Sequence, residues 1–266
     1  SSNRIANKNT MLLDGEPLFI RTLKKLINTT LISEVYLDTE SHDIITLASE
    51  LKCKILKRDP LLASNKTDGH QLFFNEVKQV EADIYIQLLC TSPFIQQETI
   101  EKGIKLLMES DEYDSVVAVR KEKQYKWKDG SPEYDINHIP NSIDLDDTVI
   151  ESMSLYIVKK EAAYQTKRRI GNKPYLLEID PLESIDVNWP PDFELANLLA
   201  IGLREQERRL FNNMKLLLTS ALLSDIMDDM GIVGVLSSKF HLNLPNSKIF
   251  GRAKTLQIDI CPDDED

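Results

Sequence analysis

Cysteine is scarce in this chain, and its three cysteines, Cys53, Cys90 and Cys261, stand far apart. An odd number without paired spacing argues against a disulfide framework and a cysteine zinc site, and for a reducing, cytoplasmic setting. The four histidines, His42, His70, His138 and His241, form no ligand pair at helical spacing. No apolar run approaches the ~18 residues that would suggest a membrane-spanning helix. The first ten residues are polar, so no signal peptide is expected to open the chain. Basic residues are outnumbered, 32 against 43 acidic, for a net charge of −11. With no strongly basic stripe, a general nucleic-acid partner is not expected. No Ser–His or Cys–His arrangement points to covalent catalysis.

The 266 residues, 42% hydrophobic and 28% charged, have a globular composition and suffice for one sizeable core or a domain with an appendage. From residue 17 to 119 the pattern alternates. Helices are expected near 18–27, 44–51, 72–80 and 99–108, and strands at 32–37, 53–56, 84–89 and 115–119. The run 84–89 is nearly all apolar, as in a strand buried on both faces. Such alternation implies βαβ units and an α/β fold with a mainly parallel sheet. Residues 120–149 break the pattern. They are polar and hold Lys128-Asp129-Gly130-Ser131-Pro132, and read as a substrate-facing excursion. A strand returns at 152–158. Helices are expected at 193–209 and again at 214–230, the second stopped by Gly231.

The most informative stretch is Ser184-Ile185-Asp186-Val187-Asn188-Trp189-Pro190-Pro191-Asp192-Phe193-Glu194-Leu195-Ala196. A β-prone run ends in an acid, and a proline pair then opens an amphipathic helix. Asp186 is thereby expected near a strand end, where divalent metals and phosphates meet in α/β proteins. Asp192 falls in the first helical turn, as a site residue or as a complement to the helix dipole.

Several blocks, in order, resemble the acylneuraminate cytidylyltransferase family, the CMP-sialic acid synthetase type, and its relatives for similar acidic sugars. Ser2-Asn3-Arg4-Ile5-Ala6-Asn7-Lys8-Asn9 is similar to the second half of that family's phosphate loop. Asp14-Gly15-Glu16-Pro17-Leu18 is similar to its G-x-P-L, and Asp38-Thr39-Glu40 stands at its S-T-D. Arg58-Asp59 with Leu62-Ala63-Ser64 matches the R-x-x-x-L-A-x-D neighbourhood, and Thr91-Ser92-Pro93 the end of Q-P-T-S-P. Arg169-Ile170-Gly171 and residues 184–192 match the C-terminal signature. Departures are Asn3 for lysine, Ala6 for proline, Leu89-Cys90 for Gln-Pro, Asn141 for arginine, and Asn188 for the second aspartate of D-x-D. The family's first strand and the Ala-Arg-x-Gly half of its loop have no counterpart in the sequence.

The resemblance, over residues 1–208, implies a three-layer Rossmann-like nucleotidyltransferase domain. It implies transfer of CMP from CTP to the hydroxyl of an acidic 3-deoxy-2-keto sugar, with pyrophosphate released. Mg²⁺ is the implied cofactor. Lys8 and Asp186 are the expected catalytic pair, and Asp186 and Asn188 the metal ligands. Ser2, Arg4, Lys8, Asn9, Arg58, Thr91 and Ser92 are expected at the nucleotide, and Lys126, Lys128 and Tyr156 at the sugar. Other uses stay open: Arg4 and Lys8 as a solvated basic segment, Arg58 as a surface charge, Thr91 and Ser92 as caps of the next helix, Lys126 and Lys128 as an exposed loop. A nucleotide-sugar-binding scaffold without turnover is the rival class, motivated by the departures.

Residues 209–266 read as a second, partial α/β module. Leu218-Thr219-Ser220-Ala221-Leu222-Leu223-Ser224-Asp225, Gly231 and Gly251-Arg252-Ala253-Lys254-Thr255 resemble the start of the RraA-like family of aldolases and ribonuclease regulators. The apolar helix face at 214–230 implies a homo-oligomer, since large apolar side chains are stabilised by about 1.5–3 kcal/mol each on burial.

Overall fold

The computed structural model describes residues 7–63 and 67–230. After a 3₁₀ turn at Lys8–Thr10, strands β1 (Leu12–Leu13) and β2 (Glu16–Pro17) form a hairpin. Its corner is Asp14 and Gly15, both at positive φ, a conformation glycine adopts without steric cost. There follow α1 (Leu18–Asn28), β3 (Tyr36–Thr39), α2 (His42–Leu47), β4 (Lys54–Lys57), α3 (Gly69–Val77), β5 (Ile84–Leu88), α4 (Gln97–Glu109) and β6 (Ser115–Lys123). The chain continues through β7 (Trp127–Lys128), β8 (Ser131–Pro132), β9 (Asp147–Lys159), α5 (Lys160–Thr166), β10 (Pro174–Glu178) and α6 (Pro190–Met230).

The central sheet has the order β10-β6-β9-β5. β10 runs parallel to β6, and β9 runs antiparallel to both β6 and β5. The expected α/β fold is present, but the sheet is mixed rather than mainly parallel. The reason is the polar excursion: β6 reaches out to Lys123 and β9 returns from Asp147, so the two pair as a long hairpin arm. β3 and β4 form a separate parallel pair. Alternate residues of the sheet strands serve opposite faces. Val116, Ala118, Leu155, Ile157 and Leu177 meet Ile100, Ile104 and Leu107 of α4 on one side. Tyr85 and Val158 meet Phe73 and Val77 of α3 and Ala162 and Ala163 of α5 on the other. The result is three layers, helix over sheet over helix, in the compact unit that ends at Ala200.

The second unit, residues 201–266, begins within α6, which also contains the expected limit at residue 208. The two helices expected at 193–209 and 214–230 are one uninterrupted helix. The sequence offers neither proline nor glycine between Gly202 and Gly231 to break it. The charged residues 204–209, at the expected end of the first helix, support the helix instead: Glu205 pairs with Arg208 at 3.0 Å and Arg209 at 3.2 Å, one turn on. Ser2, Arg4 and the later part of the RraA-like resemblance, from Gly231 on, lie outside the described residues. No helix among the described residues is long and apolar enough to cross a membrane.

Candidate functional site

Lys8 is buried, and its Nζ donates to the Val187 carbonyl at 2.9 Å. The Val187 N–H in turn donates to the Thr91 carbonyl at 2.8 Å. Three expected residues, Lys8, Thr91 and Asp186, are thus tied together although 178 positions separate the first and last. Asp186 is not at a strand end, as the β-prone residues around it suggested. β10 stops at Glu178, a turn closes through a Ser184 hydroxyl bond to the Pro181 carbonyl at 2.7 Å, and Asp186 follows in a loop docked on Thr91. Asn188 lies beside it, its amide Nδ2 donating to Asp186 Oδ2. Asp186 Oδ1 is buried without a hydrogen-bond partner. Asp192 serves the loop: its Oδ2 accepts from the N–H groups of Asn188 at 2.9 Å and Trp189 at 2.7 Å.

An unpaired buried carboxylate oxygen needs a cation or a donor from elsewhere. Among the described residues no three His, Cys, Asp or Glu side chains gather into a metal-holding cluster. One carboxylate with a neighbouring amide suits a hard ion that shares its shell with phosphate and water, which describes Mg²⁺. The residues present fit that group.

Cys90 reports on the surroundings. Burial pushes its thiol up to about 11, Lys8 and Arg58 pull it down, and Asp186 pushes it up. Both cations and the acid therefore act on one point, and the thiol itself stays protonated. Ser92 is 1% exposed with its Oγ unpartnered. The cap role left open for Thr91 and Ser92 belongs to Glu183, which sequence reading missed. Its carboxylate accepts from the Gln96 N–H at 2.6 Å and the Thr99 hydroxyl at 2.8 Å at the start of α4.

Between β3 and β5 lies a cavity of about 1330 Å³. Lys8, Asn9, Thr91 and Arg58 line it, together with the facing strands; Asp186, Asn188, Ser92 and Tyr156 do not. Asn9 is exposed, in the 3₁₀ turn. Arg58 is committed to the end of β3. Its Nε donates to Asp38 Oδ2 at 2.9 Å, its Nη2 to the Asp38 carbonyl at 3.1 Å, and Nη1 lies 3.6 Å from Glu40. Asp38 Oδ1 is buried without a partner.

Glu76 of α3 faces this group and accepts from Gln87 Nε2 at 3.1 Å. Burial first, and Asp38 beside it second, push Glu76 up to about 8 from 4.5. The folded protein then holds a proton that the unfolded chain loses above pH ~4.5, so stability falls as pH rises from there to about 8. The slope is at most about 1.4 kcal/mol per pH unit. Glu76→Gln should abolish this contribution and be the more stable protein at pH 8. Urea midpoints at pH 5 and pH 8 measure it, and identical pH dependence in both proteins would refute it.

The expected sugar residues are not brought together. Lys126 and Lys128 are exposed in the excursion, near the small hairpin of β7 and β8. Tyr156 is wholly buried on β9, its hydroxyl bonded to Glu151. Burial and that bond push its phenol well above the ordinary value, Arg169 pulls it down, and Asp186 raises it further. Arg169, beside Ile170 and Gly171 in the quoted blocks but not a predicted site residue, has its Cζ 4.0 Å from the centre of the Tyr156 ring.

A family model described as cytidylyltransferase matches residues 1–216. The N-acylneuraminate cytidylyltransferase A of Danio rerio is 25% identical over 207 residues, 73% of this chain and 47% of that protein. The 3-deoxy-manno-octulosonate cytidylyltransferase of Chlorobium phaeovibrioides is 25% identical over 131 residues, 48% of this chain and 51% of that protein. The chain thus spans about half the length of the curated relatives it matches. Among solved structures, a CMP:2-keto-3-deoxy-manno-octonic acid synthetase in complex with CTP shares the fold with a TM-score of 0.56 at 14% identity, covering 76% of this chain and 95% of that one. A 4-diphosphocytidyl-2C-methyl-D-erythritol synthase from Anaerococcus prevotii gives 0.55 at 14% identity, covering 71% and 87%.

Proposed function

The chain belongs to the cytidylyltransferase family, and on that premise we propose that it transfers CMP from CTP to the hydroxyl of an acidic 3-deoxy-2-keto sugar, releasing pyrophosphate. The observation that carries this reading is the tie between Lys8, Val187 and Thr91, which anchors a buried ammonium on the residue next to Asp186, whose Oδ1 is buried and unpartnered. The chemical difficulty is charge, because a triphosphate and an acidic sugar repel each other. Lys8 supplies positive charge at the cavity wall. Asp186, with the Asn188 amide beside it, would hold Mg²⁺. That ion, when bound, supplies electrostatic stabilisation at phosphate. Thr91 keeps the Asp186 loop against the end of β5, so that the acid and the ammonium are positioned before substrate arrives.

A second reading has one observation behind it. The Asn188 amide occupies Asp186 Oδ2 and adds no negative charge, which favours a scaffold that binds nucleotide sugars without turnover. Incubating the protein with CTP, Mg²⁺ and a panel of acidic sugars while following pyrophosphate separates the two. Release that depends on the sugar supports transfer; tight binding of CTP without release supports the scaffold.

The homo-oligomer stays a proposal, as do a cytoplasmic location and the aldolase-like character of the tail. Leu195, Leu198, Ile201, Leu210, Phe211 and Met214 along α6 are all exposed, and this favours self-association. Light scattering should give at least twice the chain mass, and a monomer would refute it.

A further inference from the structure

Arg169 is a buried cation that the transfer reaction proposed above has not used. It is 8% exposed, yet its Nε is buried without a hydrogen-bond partner. Nη2 reaches only the Met153 sulfur, at 3.6 Å. Among the described residues no carboxylate comes within the 4.0 Å of an ion pair. The acids that act nearby are committed elsewhere. Glu151 takes the Tyr156 hydroxyl, and Asp68 caps α3 by accepting from the His70 and Gln71 N–H groups, each at 2.9 Å.

The fold holds this guanidinium in place. It stacks on Tyr156 and lies against Gly69, where any Cβ would stand 2.7 Å from Nη1. Ile170 packs on Val117, Val119 and Tyr156. The Gly171 N–H donates to Ser115 Oγ at 2.9 Å, and a side chain at Gly171 would run into the Asp114 carboxylate. Facing Arg169, β9 bulges between the pairs formed with Val117 and Val119, and Met153 sits at φ 53°, a conformation disfavoured for its side chain. Burying a charge without a partner is costly. Here the packing enforces it, so the partner comes with the ligand. A planar fork of N–H donors matches a carboxylate. The charges of Asp186 and Arg169 both reach the Tyr156 phenol, so the acid and this cation act on the same ring.

We propose that Arg169, stacked on Tyr156, binds the carboxylate of the acceptor sugar and is the reason the chain demands an acidic one; this rests on the transfer function above. The test is calorimetric binding of N-acetylneuraminate and of 3-deoxy-manno-octulosonate, each beside its methyl ester, to the full chain with CTP present and divalent metal chelated. The wild type should bind at least one acid tenfold or more tighter than its ester. Arg169→Met should lose that preference while binding the ester as before. Arg169→Lys, which keeps the charge without the fork, should fall between, and it decides the matter if the methionine variant does not fold. Equal binding of acid and ester, no binding of either acid at millimolar concentration, or equal weakening of both in the variants overturns the proposal. Pyrophosphate release from the same proteins with Mg²⁺ restored keeps the two readings apart. Transfer without carboxylate preference removes the role of Arg169 alone, and preference without transfer removes the transfer reading alone.

Discussion

Asp186→Asn should lower turnover by at least ~10²-fold, because a lost metal contact removes several kcal/mol of transition-state stabilisation. The substitution is nearly isosteric. The amide can still bond Asn188, so the loop held by the Val187 N–H and the Thr91 carbonyl should keep its place. The thermal midpoint should therefore stay within a few degrees of wild type while kcat collapses. The Mg²⁺ concentration for half-maximal rate should rise as well. Asn188→Asp makes the opposite test, restoring a second acid, and activity should be equal or higher. Full activity in Asp186→Asn would rule out the metal role and leave the unpaired Oδ1 without an explanation.

Lys8→Met is the second large effect, a fall of ~10²–10³-fold in kcat/KM for CTP, the size seen when one preorganised donor to developing charge is removed. The KM for the sugar should barely move. Stability should drop by about 1–3 kcal/mol, since the Val187 carbonyl loses a buried donor. Lys8→Arg should not rescue activity, because a planar fork does not fit where a single ammonium is enclosed. Stability lost with kcat/KM for CTP unchanged would reduce Lys8 to a strut under the 186–188 loop.

Much of this fold was legible in local pattern. The apolar run at 84–89 became β5, and the alternation through residue 119 became the layers around it. Lys8, Thr91 and Asp186 were legible as blocks, although nothing local says that they meet. What was not legible depends on distant partners. Glu76 and Gln87 look like ordinary polar positions of a helix and a strand, and only packing joins them and sets Glu76 beside Asp38. Glu183 looks like a surface acid until the start of α4 presents the Gln96 N–H and the Thr99 hydroxyl to it. Arg169 stood in a quoted block, but a sequence does not show that an arginine is buried and lacks a counter-charge. The orientation of β9 was missed because a polar excursion of that length is compatible with either direction of return. In α6 the expected end at residue 209 was not one, since no glycine or proline follows there to break the helix.

The strand order carries a consequence for biosynthesis. In the sheet, β9 separates β5 from β6, although β5 and β6 leave the ribosome first. At ~5–20 residues per second, β5 waits several seconds for its neighbour. β10, which closes the far side of β6, emerges later still. Throughout that interval the nascent chain carries two apolar strands with open edges, a state prone to mispairing with other chains. Newly made copies should therefore depend on chaperone protection until about residue 178 has emerged, and slower translation between residues 88 and 147 should lower the yield of folded protein more than slowing elsewhere.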